Sequence, residues 1–159
     1  MKGKKLILLL STILLLSSNL YSNELKKSVM VGIQSLNTEF LSQRGISFGY
    51  SLEKGIKGLS YRVDLNYGNN EYTTNFDMEF LVGTRVYKKV MVYGLIGYKN
   101  DNWEFMDTDG FGGGVLTSYR YDKHYFIEAK YTNYESSSND KSIKSFRQNN
   151  LLFSLKYQF

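Results

Sequence analysis

Residues 150–159 read N-L-L-F-S-L-K-Y-Q-F. Leu151, Phe153, Leu155, Tyr157 and Phe159 take alternate positions. Asn150, Ser154, Lys156 and Gln158 fall between them, with Leu152 the one apolar residue in the polar set. Side chains alternate across a strand, so this segment has an apolar face and a polar face. Two settings suit it: a soluble β protein with the apolar face in a core, or a membrane protein with the apolar face against lipid. The rest of the chain decides between them.

Working back from this segment, seven further strand segments appear, and the same period of two marks all but the fifth. Strands are predicted at about 26–36, 44–54, 58–68, 75–87, 90–100, 110–121 and 124–134. The cleanest is 44–54, where Ile46, Phe48, Tyr50 and Leu52 oppose Ser47, Gly49 and Ser51. In the third strand Leu59, Tyr61, Val63, Leu65 and Tyr67 oppose Ser60, Arg62, Asp64 and Asn66. The fourth sets Phe76, Met78, Phe80 and Val82 against Asp77, Glu79, Gly83 and Arg85. The fifth is apolar on both sides, and its faces stay unassigned. The sixth opens G-F-G-G-G-V at Gly110. With the closing segment this makes eight strands of about 10–13 residues, near the ~9–11 that cross a bilayer at a tilt. Long polar connections (37–43, 69–74, 100–109, 135–147) alternate with short ones at 53–58, 88–89 and 122–123.

The chain of 159 residues suits one domain, read as 23–159 after an N-terminal targeting segment at 1–22. Lys2, Lys4 and Lys5 precede the apolar run Leu6–Leu16, and a Ser/Asn-rich stretch ends at Ser22. This is the pattern of a cleaved secretory signal peptide, too short to span a bilayer as a helix. Its removal takes three lysines and no acid, lowering the formal net charge from +5 to +2, so the basic balance implies no nucleic-acid partner. With no Cys there is no disulfide framework and no thiolate metal site. With no Pro, nothing interrupts long ladders. After residue 22 no stretch is long and apolar enough for a transmembrane helix.

Volume decides which face is dry. An eight-stranded barrel has little interior room. About five bulky apolar residues on each of eight strands would overfill it, whereas Gly, Ser, Asn and a few charges fit. The large residues therefore belong outside, against lipid. Arg62, Asp64, Asp77, Glu79, Arg85, Arg120, Glu128, Lys130 and Lys156 then point inward, five positive and four negative. Buried charges persist only when paired or hydrated, so this near balance predicts an ion-pair network that plugs the lumen. Trp103, Phe105 and Phe146 fall in predicted loops and are expected to be exposed contact residues.

The signal segment, the eight alternating strands, the glycine-rich sixth strand and the aromatic end at Phe159 together resemble the small eight-stranded outer-membrane β-barrels of the OmpA-like transmembrane domain, OmpX and opacity-type group. The likeness covers nearly all of 25–159 and is architectural; it rests on no unique motif. It implies an all-β, eight-stranded antiparallel up-and-down transmembrane barrel in the outer membrane of a Gram-negative-type bacterium. It implies contact with outer-membrane lipid and lipopolysaccharide. It also implies that Phe153, Leu155, Tyr157 and Phe159 form the C-terminal signal read by the barrel-assembly machinery. The peptidoglycan-binding domain of full-length OmpA proteins is not expected.

Three function classes follow. The first is a structural or surface-interaction barrel that meets a host or surface ligand through its external loops. The second is a small porin-like channel or transporter for hydrophobic or small solutes. The third is a lipid-modifying enzyme, as some similar small barrels are. The chain has one His, His124, in a short turn beside Asp122 and Lys123, and lacks the His-x-Ser pattern of the deacylases. No catalytic residue is assigned, and no cofactor is expected. The acidic stretch 100–109 lacks the ligand spacing of an EF-hand, so no metal site is assigned.

Overall fold

The computed structural model describes residues 25–56, 58–104, 106–138 and 145–159. Eight strands follow in order: β1 (Lys26–Thr38), β2 (Ser42–Ile56), β3 (Leu59–Asn70), β4 (Thr73–Tyr87), β5 (Val90–Trp103), β6 (Asp107–Arg120), β7 (Tyr125–Ser138) and β8 (Phe146–Gln158). Each pairs antiparallel with the next, and β8 pairs with β1, so the sheet is closed and has no edge. The expected targeting segment 1–22 lies outside the described residues.

Register fixes the barrel's dimensions. Following paired residues from Ser28 through Ser51, Asp64, Glu79, Gly97, Gly112, Tyr134 and Gln148 returns to β1 at Thr38, ten residues further on. With eight strands, this stagger gives a tilt of about 40° and a backbone radius of about 8 Å. That radius leaves an interior for side chains and no wide bore. Strands of 12–15 residues rise roughly 30–38 Å along the axis at this tilt, more than the ~25 Å apolar band of such barrels.

The alternation anticipated for each face holds around the ring. Val31, Phe48, Phe80, Ile96, Val115, Ile127 and Phe153 point outward, while Ser51, Asp64, Asn66, Asp77, Thr132 and Asn150 are buried inside. The two-sided fifth strand resolves the same way. Tyr93, Leu95, Lys99 and Asp101 are buried inward and Ile96 faces out.

The strands run further than the sequence reading placed them. The predicted loop 69–74 shrinks to Glu71-Tyr72, and 100–109 shrinks to the short link between Trp103 and Asp107. The link between β1 and β2 is 39–41 only. The cause is the polar interior. Asn70, Thr73, Asn75, Asp101, Thr108 and Gln148 continue the inward alternation, and polar residues on an inward face give strand ends the composition of loops. The hairpin tips are also tied down. Thr38 Oγ1 accepts the Phe40 and Leu41 amides at 3.2 and 3.0 Å, and Gln43 Oε1 accepts the Tyr72 amide at 3.1 Å.

Two close approaches account for inward glycines. A side chain at Gly83 would strike the Tyr93 ring, and one at Gly112 would strike Tyr134 and its backbone. The glycine run of β6 therefore makes room for a large ring from β7. Gly58, in the turn between β2 and β3, has φ 87° and takes the left-handed conformation that glycine permits.

Candidate functional site

The interior holds three layers. For orientation, the lower mouth is where β1 starts and β8 finishes.

The lowest layer is a knot around Arg62. Its Nε donates to Asp64 at 2.6 Å, and its Nη1 and Nη2 donate to the two oxygens of Glu128 at 2.6 and 2.9 Å. Lys156 Nζ lies 3.0 Å from Glu128 and 3.5 Å from Glu53. Tyr93 donates its hydroxyl to Glu53 at 2.8 Å, and Ser118 donates to Glu128 at 2.9 Å. Lys156 also sits over the Phe126 ring, 4.6 Å from its centre. The two-pronged grip on Glu128 is the geometry in which a guanidinium binds a carboxylate most strongly. Leu81, Tyr93, Leu95 and Leu116 pack together beside the knot.

The middle layer is looser. Lys130 pairs with Glu79, which also accepts the Tyr134 hydroxyl at 3.0 Å. Lys99 stands between two carboxylates, 3.8 Å from Asp77 and 3.5 Å from Asp101. Gln148 donates to Asp101 at 2.8 Å. Lys99 Nζ, Asp101 Oδ1, Gln148 Oε1 and Asn150 Oδ1 are buried and have no hydrogen-bond partner among the described residues. A set of amides, Gln34, Asn70 and Asn75, is cross-bonded at 2.8–3.2 Å on the side of this layer formed by β1, β3 and β4.

The top layer is apolar. Leu36, Trp103 and Phe146 pack together, with Leu41 and Met106 against them. Trp103 Nε1 donates to Thr108 at 3.2 Å, so its polar edge is satisfied within the cap. Phe40 lies outside and meets Phe146 edge-on at 6.1 Å.

This arrangement corrects several sequence expectations. Arg62, Asp64, Asp77, Glu79, Glu128, Lys130 and Lys156 are buried in the lumen. Arg85 and Arg120 are not in the network. They lie on the inward parity of their strands but beyond the packed interior, and both are exposed at the lower mouth. Glu53, Lys99 and Asp101 join the interior in their place. The buried set is therefore four cations and six carboxylates among the described residues, not five and four. Trp103 and Phe146 are 4% and 3% exposed, and they form the cap instead of meeting solvent. The reason is parity: each extends an inward row beyond the predicted strand end. Phe105 lies outside the described residues.

Phe153, Leu155, Tyr157 and Phe159 all point outward, and the Phe159 amide donates to the Lys27 carbonyl at 3.1 Å, which ties the last residue to β1. The Tyr157 ring lies tilted against Tyr125 (5.2 Å) and stacked with Phe159 (6.4 Å). His124 is exposed, with Nδ1 2.8 Å from the Gln158 carbonyl oxygen. Among the described residues, no cluster of three or more His, Cys, Asp or Glu side chains is arranged to hold a metal.

No protein-family model matches the sequence. No curated protein matches it either. Solved structures do. The chain is similar to Neisserial surface protein A, NspA, at 16% identity and a TM-score of 0.59, over 85% of this chain and 97% of that one. It is similar to the Yersinia pestis outer membrane protein Ail in a phospholipid bilayer nanodisc, at 12% identity and a TM-score of 0.55, over 84% and 99% of the two chains. It is also similar to a de novo designed transmembrane β-barrel, at 14% identity and a TM-score of 0.50, over 83% and 95%. At these identities the likeness is one of fold. In strand number, antiparallel closure and inside-to-outside polarity, the chain has the fold of the small eight-stranded outer-membrane β-barrels.

Proposed function

We propose that the chain is a non-enzymatic barrel of a Gram-negative-type outer membrane, reached by signal-dependent export, that works through its outer surface and not through its lumen. The observation that carries this reading is the obstructed interior. The Arg62 knot lies across one half, and the Leu36–Trp103–Phe146 cap covers the upper end. The outer wall supports membrane embedding. Val29, Ile33, Phe48, Phe80, Ile96 and Phe153 present a broad apolar belt, far larger than the patches soluble monomers leave in water. His124 engages a main-chain carbonyl in an exposed turn, which favours a turn-stabilising role over a catalytic one.

In this reading the hairpin tips at 39–41 and 71–72 face outward. The apolar contact residues at the tips are Phe40, 74% exposed, and Tyr72, 45% exposed. The test has two parts. Fractionation with heat-dependent gel migration should place the folded protein in the outer membrane; recovery in the periplasm without heat-dependent migration overturns the membrane reading. Cells carrying wild type or Phe40→Ala/Tyr72→Ala at equal surface levels are then compared for adhesion to epithelial monolayers. A loss of adhesion in the variant is expected, and equal adhesion of wild-type and barrel-free cells removes the surface-interaction role.

A second reading, limited passage of small ions, is favoured by one feature. The unpartnered polar atoms around Lys99 and Asp101 need polar company, which a hydrated middle chamber supplies. Such a chamber conducts only if both the cap and the knot open.

A further inference from the structure

The lower mouth carries a feature that neither the lumen network nor the outer tips explain. A small cleft of about 60 Å³ opens there. Six cations line it: Lys26 from the start of β1, Arg85 from the end of β4 with Lys88 and Lys89 from the turn that follows, and Arg120 from the end of β6 with Lys123 from the turn that follows. The one carboxylate in the lining, Glu53, is already taken by Lys156, Ser60 and Tyr93. None of the six cations forms an ion pair among the described residues, and Lys89 Nζ reaches only the Tyr121 carbonyl, at 3.5 Å.

Exposed lysines at turns are usually separate, solvated charges. Here the fold gathers them. Arg85 and Arg120 continue the inward rows that contain Gly83 and Ser118, so both belong to the lumen side of the rim. The register shifts between Arg85 and Tyr87, where the β4 strand breaks its regular pairing at the rim. Three separate stretches of chain thus bring six like charges to one concave mouth. A cleft lined by one sign of charge concentrates counter-ions. Guanidinium forks match the oxygens of a phosphate group, and lysines add point charge. The space is that of about four water-sized groups, the scale of a single phosphate.

We propose that this vestibule is a binding site for a phosphate-bearing anion, with Arg85 and Arg120 as the principal donors and the four lysines as an electrostatic collar. The phosphate can come from the headgroup of a phospholipid in the adjoining leaflet or from a soluble phosphate compound. The chemistry is the same, and the test separates the sources.

Protein refolded in a phosphorus-free non-ionic detergent is titrated with inorganic phosphate and followed by phosphorus NMR. Wild type should bind saturably, and affinity should fall as salt is added. Arg85→Gln/Arg120→Gln should bind about a hundredfold more weakly, since each of the two lost charge-assisted contacts carries roughly a factor of ten. Arg44→Gln/Arg147→Gln, at the opposite mouth, should bind as wild type does. Displacement of phosphate by micelle-soluble phosphatidylglycerol identifies a lipid source, and displacement by glycerol phosphate alone identifies a soluble one. If Arg85→Gln/Arg120→Gln loses heat-dependent migration, the turn variant Lys88→Gln/Lys123→Gln takes its place, with at least a severalfold loss expected. Absence of saturable binding by wild type, or binding undiminished in the folded vestibule variant, overturns the proposal.

Discussion

The Arg62 knot and the Lys99 triad are both buried charge clusters in one lumen, yet they are built differently. Arg62 holds two carboxylates at 2.6–2.9 Å, and among the described residues no fully buried polar side-chain atom of the knot is left without a hydrogen bond. Lys99 lies 3.5–3.8 Å from its carboxylates, and its own ammonium and Asp101 Oδ1 have no hydrogen bond among the described residues. A fully satisfied buried network fixes one arrangement, while a partly satisfied one leaves groups that must find other polar company. The knot is therefore the rigid element of the lumen and the triad the compliant one.

The largest effect should come from Arg62→Met. It strands Asp64 and Glu128 with only Lys156 and Ser118 nearby, and breaking a buried pair from one side costs about 3–5 kcal/mol. Denaturant unfolding in lipid vesicles measures it, and a loss below about 1 kcal/mol would remove the knot's special standing. Lys99→Met should cost less, about 1–3 kcal/mol, because the bonds it removes are long and Gln148 still serves Asp101. An equal loss for the two variants would erase the distinction between the regions. Gln148→Leu, which removes one donor from Asp101, should be the mildest, about 1 kcal/mol, and the same unfolding experiment ranks it.

The contrast also marks where the sequence was readable. The outward face was legible on almost every strand, because Phe48, Phe80, Ile127 and Phe153 alternate with small or polar neighbours, and period two needs no knowledge of partners. Most of the knot was legible for the same reason: Arg62 and Asp64 lie on a polar row, and Glu128 and Lys156 on rows broken only by Phe126 and Leu152. The triad was not. Lys99 sits on a strand that is apolar on both sides, and Asp101 lies in an acidic stretch with the composition of a loop. Glu53 was hidden by the glycines that follow it at Gly55 and Gly58. Trp103 and Phe146 failed in the same way, since strand ends that face a polar lumen carry no apolar alternation to extend them. Extending each strand by its inward polar parity would have recovered Asp101, Trp103 and Phe146. Arg85 and Arg120 show the opposite error. Their parity is inward, but the packed interior ends above the lower rim and leaves them in solvent, and only three-dimensional register reveals that.

The central claim is that the interior is closed by the knot below and the cap above while the apolar face meets lipid. Single-channel recording of the refolded wild-type protein in a planar bilayer addresses it most directly. The expected trace shows insertion without large, steady openings. A stable, large conductance from the unmodified barrel would contradict a closed lumen and return the chain to the channel class.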